Sequence, residues 1–204
     1  LKHAGEHLSL YQLTIEKQTQ FEGAYRRGEF ALPDEDTGVA LFEATQEILA
    51  AAGRPLYEVS NHARPGAECR HNLAYWRYDD YAGIGPGAHG RPRVDGQKLA
   101  SRQHRAPEIW LEHVERQGHA TTERRVLPPE EQAQEALMMG LRLAEGIDAA
   151  RFQASTGVAL DAALDPQGLT RMVEGGFVTR DPTHLRATQE GMLRLDAVLA
   201  RLAA

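Results

Sequence analysis

The sequence has 204 residues but only one cysteine, Cys69. A single thiol excludes an intramolecular disulfide framework, which is the usual support of small secreted domains. The sequence also lacks any apolar run near the ~18 residues that a membrane-spanning helix requires, and it shows no signal-peptide pattern. These absences predict a globular protein with no transmembrane segment, in a reducing, cytoplasmic compartment.

The sequence also lacks an excess of positively charged residues. The chain carries 23 Lys and Arg residues against 29 Asp and Glu residues, which gives a formal net charge of -6. Residues 129–204 hold 7 of the cations and 11 of the anions, so the C-terminal part is acidic on its own. A nucleic-acid-binding surface normally shows as a basic patch or stripe. We therefore predict no nucleic-acid partner.

The first part of the chain alternates predicted strands and helices. A strand is predicted over Leu8–Glu16, and an acidic N-cap at Asp34 begins a helix that ends near Gly53. A further strand is predicted over Pro55–Ser60, and Tyr81–Ala88 is predicted as a short strand that runs into a glycine-rich turn. The order strand, helix, strand predicts a parallel pair joined by a crossover.

The pattern changes near residue 128. A helix over Ala106–Gln117, ended by Gly118, closes the first region, and Pro129 begins a new helix with an apolar stripe up to Gly146. Two helices are predicted next, over Ala149–Ser155 and Gln167–Glu174, and then two short strands, over Phe177–Thr179 and Leu185–Ala187. A last helix follows, with Thr188 as its N-cap. This order predicts a winged-helix-like module. We therefore expect two domains, residues 1–127 and 128–204.

The segment from residue 64 to residue 76 combines a turn, a thiol, an imidazole, an amide and two large aromatic rings. His71 offers a nitrogen to a metal or a proton, and Tyr75 and Trp76 offer flat faces to a planar ligand. A structural interpretation stands beside this one. On a strand, His71 and Tyr75 would share one face while Asn72 and Trp76 shared the other, so the aromatic residues could simply be core.

The order of several motifs resembles one family over essentially the whole chain. The motifs are Leu8–Glu16, Tyr57–Asn61, Pro65-Gly66, His71–Trp76, Gly83–His89 and Met139–Asp148. Together they resemble the C-terminal part of the radical SAM haem chaperone family, the HemW type, long described as similar to oxygen-independent coproporphyrinogen III oxidase. The His-Asn-x-x-Tyr-Trp block is typical of the haem-chaperone branch.

The resemblance implies a fold and a set of cofactors. The expected fold is α/β, with the C-terminal portion of a partial (β/α) radical SAM barrel followed by a small winged-helix-like α+β domain. In the family, an N-terminal half carries the Cys-x-x-x-Cys-x-x-Cys loop that holds a [4Fe-4S] cluster and S-adenosylmethionine. This sequence has one cysteine in a different motif, whereas such a cluster needs three thiolates from the loop. We therefore expect no radical chemistry from these residues alone.

The resemblance also assigns the segment around His71 to haem binding. It implies that His71 is the axial ligand of haem iron, with Asn72, Tyr75 and Trp76 around the porphyrin. Cys69 is an alternative ligand, because on an extended segment its side chain would face the same way as that of His71. Cys69 and His71 do not form a Cys-x-x-Cys-His pattern, so covalent c-type attachment is excluded. His62 stands where the family usually has an aromatic residue.

Two functions follow from the resemblance. The first is a haem chaperone that binds haem and delivers it to acceptor haemoproteins such as respiratory enzymes, with peripheral membrane contact left open. The alternative is oxygen-independent coproporphyrinogen III oxidase, an enzyme of porphyrin biosynthesis. Haem iron requires an axial ligand, whereas coproporphyrinogen contains no metal. The His-Asn-x-x-Tyr-Trp block therefore favours the chaperone.

Overall fold

The computed structural model describes residues 1–203 of the chain, which divide into two compact units. The first unit runs from Leu1 to Cys69, and the second begins at Arg70 and continues to the end of the described residues. The boundary expected between residues 127 and 128 lies inside the second unit. The division into those two domains therefore stays a prediction.

The first unit contains one small sheet and two helices. Its elements are β1 (His7–Ser9), α1 (Gln20–Arg26), α2 (Glu35–Ala51), β2 (Leu56–Glu58) and β3 (Asn61–Ala63). The strand order is β1-β3-β2, and both neighbouring pairs are antiparallel. The predicted parallel pair is wrong. β1 and β2 run in the same direction, but β3 lies between them because the chain turns back directly after β2, as antiparallel pairing allows.

The opening strand is also shorter than predicted. β1 ends at Ser9, and the amide of Leu10 makes one more hydrogen bond, 2.8 Å to the carbonyl of Ser60. Beyond it, Tyr11 and Leu13 are 76% and 56% exposed. Alternating apolar residues do not make a strand by themselves, because the backbone donors and acceptors need a partner strand.

The helix predicted from Asp34 is confirmed as α2. The Asp34 side chain accepts a hydrogen bond of 2.8 Å from the amide of Thr37, which satisfies one of the orphan donors of the first turn. After the helix ends, Gly53 takes a φ of +70°, a conformation that glycine adopts without steric cost.

The second unit begins with a short helix and an antiparallel sheet. These elements are α3 (Arg70–Trp76), β4 (His89–Gly90), β5 (Arg93–Val94), β6 (Gln97–Gln103), α4 (Pro107–Gln117) and β7 (Thr121–Val126). β6 is the centre of the sheet, since β4, β5 and β7 all pair with it. The helix predicted to end at Gly118 is confirmed as α4, and Gly118 has a φ of +82°.

The C-terminal part of this unit is mainly helical. Its elements are α5 (Pro129–Gly140), β8 (Ile147–Asp148), α6 (Ala149–Thr156), a short 3₁₀ helix (Leu160–Ala163), α7 (Pro166–Glu174), β9 (Val178–Arg180), β10 (His184–Ala187), α8 (Gln189–Leu193) and α9 (Leu195–Leu202). Three helices, a hairpin and a final helical segment agree with the predicted winged-helix-like arrangement. The core includes Leu141, Leu185 and Leu202, none of which is exposed. The predicted last helix is broken at Arg194, where the backbone is not helical.

In the segment Tyr81–Ala88 the predicted glycine-rich turn is confirmed, but the short strand predicted before it is wrong. Only Tyr81 makes a bridge, an isolated antiparallel one with Arg91. The rest of the segment is a tight loop in which Gly83 lies against the backbone of His89, where a β-carbon would collide with the carbonyl oxygen. Glycine is therefore required at position 83 for the close approach of two backbone segments.

Candidate functional site

The His-Asn-x-x-Tyr-Trp segment is helical. α3 spans Arg70–Trp76, so the extended conformation considered for this segment is wrong. Two residues after the end of the helix, Tyr78 has a φ of +59° although it is not glycine. The amide of Asp79 then donates 2.9 Å to the carbonyl of Ala74, which closes the C-terminus of the helix.

Helical geometry divides the four expected haem-binding residues into two pairs. Successive residues are rotated by about 100° around a helix, so residues four apart share a face. His71 and Tyr75 therefore share one face of α3, and Asn72 and Trp76 share the next. Cys69 precedes the helix and is a half-buried free thiol. Because His71 lies in a helix, no extended backbone turns Cys69 and His71 to the same side.

His71 belongs to a stack of three rings. Its ring centroid lies 4.8 Å from that of Tyr75, with an interplanar angle of 45°. Tyr75 in turn stacks on Tyr81, with centroids 4.2 Å apart and an interplanar angle of 30°. His71 is exposed, whereas both tyrosines are half-buried. The His71 imidazole is therefore open to solvent and packs against two half-buried tyrosine rings.

The segment that follows the C-terminus of α3 is held by one carboxylate of α5. Glu135 accepts hydrogen bonds from the Tyr78 hydroxyl at 2.8 Å and from the Arg91 guanidinium at 2.7 and 2.9 Å. Burial alone would raise the pKa of Glu135, but the hydrogen bonds from Arg91 and Tyr78 outweigh it and lower that pKa. Burial and the contact with Glu135 raise the pKa of Tyr78, so this hydroxyl stays a donor.

Lys98 supports the left-handed backbone at Tyr78. Its side chain is fully buried, and its ammonium donates 2.7 Å to the Tyr78 carbonyl and lies 3.1 Å from a carboxylate oxygen of Asp80. The ammonium also lies 3.8 Å from the centroid of the Tyr78 ring, a cation–π contact. Burial lowers the pKa of Lys98, although the hydrogen bond and charge of Asp80 oppose this effect. This group is structural, because its donors are already used.

Trp76 faces a different environment from His71. It lines a cavity of about 580 Å³ together with residues of α5, α6 and the segment between them, among which Leu143, Ile147 and Phe152 are buried. Beside it, Arg77 binds Glu145 in two hydrogen bonds of 2.7 and 2.9 Å. The indole nitrogen of Trp76 is buried and has no hydrogen-bond partner among the described residues. Trp76 therefore packs with the C-terminal region rather than with the His71 stack.

His62 does not lie in an open site. It is only 2% exposed on β3, and its Nε2 lies 3.3 Å from the amide oxygen of Gln46. Burial, and secondarily the charge of His7, lower the pKa of His62 below 6.5. A buried neutral imidazole of this kind affects stability in acid.

Replacing His62 by phenylalanine is expected to protect the first unit against acid. As the pH falls below about 6.5, the unfolded wild-type chain takes up a proton at His62 while the folded chain does not, so its free energy of unfolding decreases. The loss approaches roughly 1.4 kcal/mol per pH unit until the lowered pKa is reached. We expect His62→Phe to remove it in urea unfolding curves followed by circular dichroism from pH 7.5 to 5.5. Parallel pH dependence of the two proteins would contradict this account.

The described residues do not form a cluster-binding site. Within residues 1–203, there is no group of three or more His, Cys, Asp or Glu side chains placed to hold a metal ion. The single thiol of Cys69 cannot replace three thiolates. The residues of this chain therefore do not fit a [4Fe-4S] cluster. In the same range, no helix is long and apolar enough to cross a bilayer.

Comparison with known proteins identifies related sequences over most of the chain. The chain is 36% identical over 200 residues to radical S-adenosyl methionine domain-containing protein 1, mitochondrial, of Danio rerio, an alignment that covers 95% of this chain and 45% of the relative. It is 37% identical over 194 residues to heme chaperone HemW of Escherichia coli (strain K12), with 95% and 48% covered. For heme chaperone HemW of Bacillus subtilis (strain 168), the identity is 30%, with 92% and 48% covered. The chain thus spans about half the length of these relatives.

Two further findings concern the fold. Residues 127–194 match the HemN C-terminal domain family. The structure is similar to that of coproporphyrinogen III oxidase (HemN) from Escherichia coli, described as a radical SAM enzyme, with a TM-score of 0.69 at 16% sequence identity, covering 97% of this chain and 48% of that one. This similarity confirms the predicted α/β fold. The chain is homologous to the C-terminal half of the HemW-type haem chaperones.

Proposed function

We propose that this chain is the haem-binding part of a haem chaperone, which holds haem at His71 and passes it to acceptor haemoproteins. The observation that carries the proposal is the exposed imidazole of His71 on the stack of Tyr75 and Tyr81, in a chain homologous to proteins named heme chaperone. Imidazole is a common axial ligand of haem iron. Arg70 is exposed beside His71 and offers a cation to a propionate.

The exposure of His71 suits a carrier rather than a permanent haem protein. A ligand on the surface leaves the opposite face of the iron open to an axial ligand of the acceptor. Exchange of the iron from His71 to that ligand then needs no opening of a buried pocket. In this account the residues of the chain bind, orient and release haem. We assign them no radical chemistry, because their single thiol does not fit a cluster.

The alternative is a part of an oxygen-independent coproporphyrinogen III oxidase. The similarity in fold to HemN favours it. Its substrate contains no iron, so His71 would have no metal to bind and the exposed imidazole would have no evident role. The two functions therefore differ in the ligand that this chain prefers.

A titration with two ligands distinguishes the two functions. The chain is titrated with ferric haem and, separately, with metal-free coproporphyrin III, and the absorbance is followed in the Soret region. We expect saturable 1:1 binding of haem with a shifted Soret band, and at least roughly tenfold weaker binding of coproporphyrin, since an axial bond is worth more than the ~1.4 kcal/mol that tenfold requires. Equal affinity for the two ligands with no sign of iron ligation would favour the oxidase. No saturable binding of haem by the folded chain would contradict the proposal.

A further inference from the structure

Tyr81 completes the ring stack although it lies outside the His-Asn-x-x-Tyr-Trp segment. Its centroid lies 4.2 Å from that of Tyr75, closer than Tyr75 lies to His71 at 4.8 Å. Tyr81 is half-buried, whereas His71 is exposed. The order of burial makes Tyr81 the base of the stack and His71 its outer member.

The backbone of Tyr81 is held by Arg91. The amide of Tyr81 donates 3.2 Å to the carbonyl of Arg91, and the amide of Arg91 donates 2.8 Å to the carbonyl of Tyr81. The side chain of Arg91 is in turn fixed on Glu135 of α5, with a hydrogen bond of 2.7 Å between Nη2 and Oε1. The position of the Tyr81 ring therefore depends on α5.

Glu135 and Tyr81 also contact α3 and the residues that follow it. Glu135 accepts a hydrogen bond from the hydroxyl of Tyr78, two residues after the helix, and Tyr81 stacks on Tyr75 within the helix. α3 has only seven residues, and isolated helices shorter than about 12–15 residues are marginal in water. Its orientation must therefore come from such tertiary contacts.

We propose that Tyr81 is a positioning residue of the ligand site, whose ring sets the direction of the His71 imidazole through Tyr75. Glu135 acts one step further away, because it holds Arg91 and thereby Tyr81. The inference deepens the proposed function and rests on haem binding at His71. It adds to the site a residue from the loop after α3 and a carboxylate from α5.

The test compares two substitutions of Tyr81 in the same titration with ferric haem. Tyr81→Leu removes the ring, and we expect roughly tenfold weaker binding with an altered Soret band, since an aromatic pair contributes up to about tenfold in an equilibrium constant. Tyr81→Phe keeps the ring, and we expect it to restore affinity to within about twofold of the wild type. Tyr25→Leu is the matched control, because it removes a tyrosine from the ring pair with Phe30 in the first unit. If Tyr81→Leu does not fold, Glu135→Gln provides the second variant, with roughly threefold weaker binding expected.

The outcomes separate this inference from the proposed function. If the wild type binds haem and Tyr81→Leu binds equally well with the same spectrum, the inference is overturned and the function stands. If the wild type does not bind haem, the function fails, and the ring protons of His71 in the ligand-free chain decide the inference by NMR. A change in their chemical shifts in Tyr81→Leu but not in Tyr81→Phe supports positioning through the stack. Unchanged shifts in Tyr81→Leu overturn it.

Discussion

Replacing His71 by alanine is expected to abolish saturable haem binding while leaving the fold intact. The imidazole is exposed and stacks only on Tyr75, so its removal exposes little apolar surface and breaks no part of the core. If His71 ligates the iron, the affinity for haem should fall by at least about 100-fold. Loss of a residue that only hydrogen-bonds to a metal ligand already costs ~10–100-fold, and loss of the ligand itself should cost more. An absorbance titration and a thermal unfolding curve of the same sample measure both effects.

Two control variants locate the ligand. His3→Ala removes another exposed histidine, and we expect wild-type binding. Cys69→Ser removes the only thiol, and we expect wild-type binding here too, because Cys69 precedes α3 and has no helical relation to the His71 face. Loss of binding in Cys69→Ser with retention in His71→Ala would move the ligation to sulfur and would contradict the assignment of His71.

The second large effect is expected from Glu135→Ala, which should destabilise the second unit by about 3 kcal/mol. The substitution leaves the Arg91 guanidinium and the Tyr78 hydroxyl without their acceptor. Removing one partner of a buried pair costs ~3–5 kcal/mol, whereas an exposed pair contributes ~0–1 kcal/mol. The side chains of Arg91 and Glu135 are 18% and 22% exposed, which places this pair nearer the buried limit.

Urea unfolding followed by tryptophan fluorescence measures this effect, because Trp76 and Trp110 both lie in the second unit. Glu135→Gln is the matched variant: it keeps one acceptor oxygen for Tyr78, but it removes the charge and replaces the second acceptor of Arg91 by an amide donor. We expect a smaller loss of about 1 kcal/mol. The stabilisation by the lowered pKa of Glu135 is present above the ordinary carboxyl pKa of about 4.3 and is lost as the pH falls through the folded value. The difference between wild type and Glu135→Gln should therefore shrink in acid. An alanine variant as stable as the glutamine variant would refute the role of the acceptor.

Helix boundaries could be predicted from the sequence because their signals are local. Asp34 caps α2 through the amide of Thr37, and Thr188 caps α8 through the amide of Gly191. Gly118 ends α4 in the left-handed conformation that the sequence suggested. Each signal depends on one residue and on the backbone within three or four residues of it.

Elements held by distant contacts could not be predicted. α3 has a pattern that fits a strand as well as a helix, and its end is fixed by Lys98 and Glu135, which come from β6 and α5. β7 is polar along nearly its whole length and is defined by its pairing with β6. Neither β6 nor β7 shows the regular apolar alternation by which a strand is predicted from sequence.

The candidate site was predicted in part. The segment around His71 contains an exposed imidazole on an aromatic stack, but the helix separates His71 and Tyr75 from Asn72 and Trp76. The place of Tyr81 in the site could not be predicted, because a short strand that begins at Tyr81 gives its ring no relation to Tyr75. The sequence does show an aromatic residue directly before a glycine-rich loop. This pattern indicates a site residue only when the loop is known to lie against α3, where Tyr81 stacks on Tyr75.

The most direct test of haem binding at His71 is pulsed EPR of the ferric haem complex, prepared with ¹⁵N-labelled histidine. The account predicts a hyperfine coupling from one imidazole nitrogen to the iron in the wild type and in Cys69→Ser, and loss of this coupling in His71→Ala. A wild-type complex without histidine coupling, or a coupling that persists in His71→Ala, would contradict the claim that His71 holds the haem.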